Sequence, residues 1–186
     1  MIRRWLFWLS GHLPCRLIDV CGKPYLERYA LFSLKNGVKG YLHRFVASDD
    51  DRFVHDHPWG WAVSLILTGG YTEERMSHMH LTEGWRLQLR RMFPLRLNII
   101  RGSDFHRVVN PEIDTWTLFI HGPQIKPWGF LSKVEAEGRG GVLYSQPQNT
   151  EATRGWSTRA LPGSRTARTP LGGGARPEPG LAEVSQ

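Results

Sequence analysis

Val54-His-Asp-His-Pro-Trp-Gly-Trp-Ala-Val-Ser-Leu-Ile-Leu-Thr-Gly-Gly70 is the stretch on which the reading of this chain turns. A pair of histidines runs into an apolar segment, Trp61 to Thr68, which Gly69-Gly70 closes. An apolar run of that length, bounded by glycine, is a strand followed by a tight turn. Segments of the same kind lie on both sides: Tyr41–Val46, Trp85–Arg90, Leu95–Ile100 and Thr115–Ile120. Several alternate apolar with polar residues, the mark of a half-buried strand. Turn signals separate them at Asn36-Gly37, Ser48-Asp-Asp-Asp51, Gly84, Pro94, Gly102, Asn110-Pro111 and Gly122-Pro123. Short strands at this spacing predict an all-β sandwich or barrel over residues 20–144.

Composition bounds the rest. The chain has 186 residues, 40% hydrophobic and 11% aromatic, enough for one buried core and too rich for a disordered chain. No apolar run approaches the ~20 residues of a membrane-spanning helix. The N-terminal apolar patch, Trp5 to Leu9, is shorter than a secretion-signal core, so residues 1–19 read as a short amphipathic helical segment packed on the domain. Cys15 and Cys21 are too few for a disulfide framework and read as free thiols; a cytoplasmic location is expected. Residues 145–186 hold six Gly and five Pro with almost no large apolar side chain except Trp156. They read as a disordered tail, and a chain ending after Tyr144 is expected to keep its fold.

The net charge of +7 raises the question of nucleic acid. Arg86, Arg90, Arg91 and Arg96 cluster around one hairpin, which the solvated face of an edge hairpin explains equally well. With no helix-turn-helix, zinc-finger or RNA-binding signature, nucleic acid is not expected as a partner. A Gly-x-Ser-x-Gly elbow, a phosphate loop and a dinucleotide glycine pattern are likewise missing from the sequence.

His55 and His57 stand two apart, so on a strand both imidazoles point to one side and converge on one point. His106, where a strand restarts after Gly102, is the candidate third donor from a neighbouring strand. His78 and His80 form a second such pair in a polar connection without a third donor in context, and read as exposed loop residues. Strict alternation from His57 puts Trp61, Val63, Leu65 and Leu67 on the inward face, an apolar interior suited to a small-molecule ligand. Arg44, Tyr71, Arg101 and Arg107 are the polar groups available to fix such a ligand, with an Arg able to clamp a carboxylate. His43 is a candidate pocket residue, and Asp56 and Asp104 are candidates for orienting imidazoles.

The order His55-x-His57, Gly69-Gly70, then Gly102-x-x-x-His106-x-x-x-Asn110 resembles the two signature motifs of the cupin superfamily. The resemblance covers about residues 40 to 121 and extends to a group of small bacterial and phage cupins in His55-Asp-His-Pro-Trp59, Trp116-Thr-Leu-Phe119 and Trp128-Gly-Phe130. It implies a double-stranded β-helix, the jelly-roll barrel, with a divalent metal on His55, His57 and His106. Two departures stand out. Trp61 and Ala62 occupy the places where the family carries Glu. The second motif has one residue too many before His106, with Ile100 where Pro is usual. Without that Glu, the ligand set resembles the three-histidine centres of some cupin oxygenases, which favours Fe(II), with Zn, Mn or Ni as other candidates. Glu73 is a candidate replacement that its place near the Gly-Gly turn argues against. The resemblance thus implies a metal-binding cupin, first a mononuclear non-haem iron oxygenase acting on a small molecule. The alternative is a cupin binding or structural module without turnover. A homodimer is left open as its assembly.

Overall fold

The computed structural model describes residues 1–20, 23–47, 53–80, 84–136, 139–146 and 155–173. A helix, α1 (Ile2–Ser10), leads into β1 (Cys15–Val20), β2 (Lys23–Ser33), β3 (Lys39–Phe45), β4 (Val54–His55), β5 (Trp61–Thr68) and β6 (Tyr71–His80). There follow β7 (Gly84–Met92), β8 (Leu97–Arg101), β9 (His106–Val109), β10 (Thr115–His121), β11 (Phe130–Ala136) and β12 (Arg139–Ser145). Two single 3-10 turns, Trp156–Thr158 and Gly163–Arg165, come last. One sheet has the order β1-β2-β3-β10-β5-β8 and the other β12-β11-β4-β9-β6-β7, with every pairing antiparallel. The chain is all-β, as expected, with its strands in two six-stranded antiparallel sheets.

Each of the five segments read as strands contains one: Trp61–Thr68 and Leu97–Arg101 alternate buried with less buried residues, β3 is buried on both faces, and Leu95-Arg96 form the turn before β8. The phase of β5 is the reverse of the expected one. Ala62, Ser64, Ile66 and Thr68 are buried, whereas Trp61 is exposed and Val63, Leu65 and Leu67 are half-buried. Ala62 packs with Tyr41, Ile100 and Phe119, and Ile66 with Leu26, Phe45, Tyr71 and Met92, so the even-numbered face lines the barrel. The physical reason is a change of sheet: β4 lies in one sheet and β5 in the other, so alternation does not carry across Asp56–Gly60. The turn after β5 does need its glycines. Gly69 has φ +69°, and a Cβ there would collide with the Thr115 side chain.

Two other expectations change. Strand β1 occupies Cys15–Val20, so the boundary placed at residue 19 cuts a strand, and His78 sits on β6 as an exposed strand residue rather than in a loop. The segment read as a disordered tail is divided. Residues 147–154 and 174–186, like Cys21, lie outside the described residues, whereas 161–172 packs against the outer face of the first sheet and α1, and Trp156 packs on Tyr41 of the inner cluster.

That docking is achieved mainly with backbone groups. Cys15 N donates to Leu161 O, Gly163 N to Leu13 O and Ser164 N to Gly11 O. Arg168 donates to Phe7 O and Ser10 Oγ beneath α1. The centre is Arg44, fully buried, which ion-pairs Glu27 at 3.0 Å and Asp114 at 2.5 Å and donates to Thr169 O and Pro170 O. In return Thr169 N donates to Glu27 and Gly172 N to Asp114. Glycine, proline and threonine offered no apolar signal for this, because the contacts are made by their peptide groups. Arg44 therefore faces away from the barrel interior and is not available to a ligand there.

Removing residues 147–186 strips two acceptors from a buried guanidinium and a donor from each of its carboxylates. Hydrogen bonds to charged groups contribute ~1.5–3 kcal/mol each, so the loss is at least about 3 kcal/mol. For a chain of this size that lowers Tm by roughly 6–12 °C in calorimetry. An unchanged Tm would contradict the docking.

Candidate metal centre

His55 ends β4, His57 follows it two residues later, and His106 opens β9. Strand β4 is only two residues long, yet it is fixed on both sides: His55 pairs with Phe130 of β11 and with His106 of β9. Beyond it, Pro58 O accepts from Ile125 N, and Trp59 bridges to Gln124, which anchors the chain leaving His57. Gly102 is needed on the far side, since a Cβ there would strike the Trp59 carbonyl. These constraints bring one ring nitrogen from each of His55, His57 and His106 to within 4.8 Å of the others. The His57 and His106 Nε2 atoms are 2.7 Å apart.

Glu73 explains the orientation of His106. Its carboxylate is fully buried and its Oε1 lies 2.7 Å from His106 Nδ1. A carboxylate there accepts the Nδ1 proton and leaves the Nε2 lone pair pointing at His57. The same carboxylate accepts from Asn98 (2.8 Å), Arg75 (3.0 Å) and Arg90 (3.2 Å). Burial pushes the Glu73 pKa up, but the His106 hydrogen bond and charge, Asn98 and Arg75 outweigh it and hold it at about 2. Glu73 is thus ionised, saturated with donors, and placed behind His106 instead of beside the three converging nitrogens. Burial, reinforced by the charges of His106 and His55, holds His57 well below the usual histidine range, so its ring is neutral near pH 7.

Aromatic rings enclose the cluster. Trp59 stacks on His57 at 4.5 Å and on His121 at 4.3 Å, while Trp128 and Phe130 pack against His55 at 6.1 and 5.8 Å. Among the described residues these three imidazoles are the one group of three or more His, Cys, Asp or Glu side chains placed to share an ion.

The other candidates lie elsewhere. Asp56 is buried but turned to the loop after β10, where it accepts from Lys126, Gly129 N and Tyr144 OH. Asp104 binds Arg75, one step removed from Glu73. Tyr71 is buried in the core, Arg101 is exposed, and Arg107 pairs with Glu74 at 2.5 Å. His43 faces inward and receives the Arg28 Nε–H at 3.1 Å. In the basic hairpin, Arg90 and Arg91 are paired with Glu73 and Glu112. Sequence reasoning passed over Asn98 and Arg28. It set Glu73 aside as a ligand without seeing its role behind His106, because their partners sit on strands distant in sequence.

No protein-family model and no curated protein matches this chain. Some solved structures are similar to it. KdgF from Halomonas sp. shares 16% identity over 59% of this chain and 89% of that one, with a TM-score of 0.43. Hydroxypropylphosphonic acid epoxidase from S. wedmorenis shares 9% over 58% of this chain, with a TM-score of 0.44; the match spans 55% of its length. A conserved protein with a double-stranded β-helix domain from Klebsiella pneumoniae shares 12% over 61% of this chain and 89% of that one, with a TM-score of 0.41. At these identities and scores the likenesses bear no argument about reaction or ligand, and the fold rests on the strand order itself. No helix among the described residues is long and apolar enough to cross a membrane.

Two predictions follow from this polar and aromatic interior. Glu73→Gln removes the carboxylate that Arg90 pairs with and leaves Arg75 with Asp104 alone, and lowers stability by ~1–3 kcal/mol in urea unfolding; a loss below about 1 kcal/mol contradicts the role given to the carboxylate. His121 is buried against Trp59 and Tyr41, and burial lowers its pKa to about 4. Below the unfolded-state value of ~6.5 the unfolded chain takes up a proton that the folded chain refuses, so this stabilisation is complete above pH 6.5 and is lost as pH falls towards 4. The loss amounts to at most ~3 kcal/mol. His121→Asn should flatten the fall of Tm between those pH values, and an unchanged slope contradicts it.

Proposed function

We propose that this cupin-type barrel holds one divalent first-row metal on His55, His57 and His106, Fe(II) before Zn, Mn or Ni, and oxidises a small molecule with dioxygen. The observation that supports it is the convergence of three ring nitrogens, one of them aimed by a buried carboxylate on its outer N–H. The donor set fits such an ion. Three imidazoles bind metal when neutral, and His57 is held neutral by its surroundings. Two nitrogens each ~2.1 Å from one ion at right angles stand ~3 Å apart, so the 2.7 Å pair has only to open slightly. When bound, Fe(II) with three protein ligands supplies open positions at which substrate and dioxygen meet.

The chain's own residues do the rest. Glu73 fixes the His106 tautomer and ring plane. Trp59, stacked on His57, together with Trp128 and Phe130 against His55, offers apolar walls to an organic ligand. A second reading, a binding module without turnover, draws on the same interior, much of which is filled by the stacked rings of Tyr41, Trp59, Phe119 and His121.

Metal analysis of protein purified without chelator and reloaded anaerobically with Fe(II) tests the centre. One ion per chain is expected, lost in His57→Ala and in His106→Ala, with a 10–100-fold weaker affinity in Glu73→Gln. Absence of metal, or equal retention in His57→Ala, overturns the proposal. Dioxygen uptake with small thiols, diketones and phenols then separates the readings: uptake that needs His106 supports the oxygenase, and a bound ligand without uptake supports the module.

A further inference from the structure

We propose that the barrel wall formed by β1 and β2 carries a subsite for an oxyanion, a carboxylate or phosphoryl group on the small-molecule ligand, built by Arg16 and Arg28. This rests on the ligand-binding part of the proposed function and adds the chemical class of the ligand.

Arg16 lies directly opposite Arg28 across β1 and β2, and Arg28 directly opposite His43 across β2 and β3. Residues opposite one another in an antiparallel pair share a face. That face is the inner one, because Ile18 and Leu26 join the core cluster around Ile66 while Ala30 packs with Tyr41 and Phe119. Two half-buried guanidinium groups therefore stand side by side on the inner wall. Like charges in that position repel each other, and each loses solvation.

Among the described residues, no carboxylate comes within ion-pair distance of Arg16 or Arg28, whereas Arg44, Arg75, Arg90, Arg91 and Arg107 each have one. Arg28 uses only its Nε, donating to His43 Nε2 at 3.1 Å, and its guanidinium lies over the Tyr41 ring at 5.4 Å. Its four terminal N–H donors and the Arg16 guanidinium make no hydrogen bond to any described residue. Burial, with the Arg28 charge added, holds His43 well below the usual histidine range, so it stays neutral and can accept from Arg28. The next residue along the same row, Thr117, is fully buried with a hydroxyl that lacks a partner. A fork of N–H donors without a described partner, in one row with an unpaired hydroxyl two strands away, matches an oxyanion with several acceptor lone pairs.

The wall is continuous with the histidine centre. Tyr41 stacks on His121 at 5.6 Å, His121 on Trp59 at 4.3 Å, and Trp59 on His57 at 4.5 Å. From the docked C-terminal segment, Trp156 stacks on Tyr41 at 6.0 Å and covers this end of the wall. A ligand held by its anionic end on Arg16 and Arg28 would lie along these rings with its other end toward the cluster.

The test is calorimetric titration of the full-length protein, metal-free and Co(II)-loaded, with succinate, with inorganic phosphate and with neutral succinamide. At least one anion is expected to saturate the metal-free protein, the tighter of the two naming the group, while succinamide binds at least about tenfold more weakly. Arg28→Met should weaken that anion about tenfold or more, and Arg28→Lys, which keeps the charge, by less. Arg16→Met carries the same expectation if Arg28→Met fails to fold. The proposal is overturned if the anions bind the Met variants as tightly as wild type, if succinamide binds equally well, or if neither anion saturates wild type by roughly 10 mM. Metal content measured on the same samples separates the two claims. Anion binding without metal retains the subsite and removes the metal centre, and metal without anion binding does the reverse.

Discussion

The carboxylate of Glu73 is the group on which the site depends. An ionised carboxylate taken out of water costs several kcal/mol unless it is fully paired. Here four donors meet it: Arg75 from its own strand, Arg90 from β7, His106 from β9, and Asn98 from β8 in the opposite sheet. The demand for those partners ties the two sheets together at one point and fixes the angle of one imidazole at the same time. Positioning of His106 is thus coupled to the stability of the barrel. A loose site would leave a charge unsatisfied inside the protein.

A second buried carboxylate cluster sits on the outside of the first sheet, where Glu27 and Asp114 hold Arg44 and, through it, the C-terminal segment. In both clusters every carboxylate oxygen has a donor. Arg16 and Arg28 break that pattern. They are cations on an inner wall for which the described residues provide no anion, whereas the fully buried Arg44, Glu27, Glu73 and Asp114 are all paired.

Much of the architecture was legible because short apolar segments bounded by glycine, proline and asparagine mark strands, as at Trp61–Thr68 and Thr115–His121. The phase of β5 was not legible. Pro58-Trp59-Gly60 carries the chain from one sheet to the other, and nothing in residue types records how many residues that crossing consumes. The docked segment at 161–172 was hidden for a different reason: its contacts are peptide groups offered to Arg44, Glu27 and Asp114, which leave no hydrophobic trace. Of the site, the two-residue spacing of His55 and His57 and the Gly102 frame before His106 carried the convergence now seen in the ring nitrogens. Glu73 could be named from the sequence, but whether it faces the imidazoles' converging side or the back of His106 depends on the β6–β9 register, with Glu73 opposite Val108. Arg28 was invisible among many arginines, since its meaning lies in the partners it lacks.

The central claim is that three imidazoles share one ion. X-ray absorption fine structure of the Fe(II)-loaded protein tests it most directly, because imidazole rings give multiple scattering that carboxylates and water do not. The expected spectrum has about three imidazole nitrogens in a first shell near ~2.1 Å, reduced by one ring in any His55, His57 or His106 alanine variant that still binds iron. A first shell of oxygen alone, or an imidazole count unaffected by those substitutions, would contradict it.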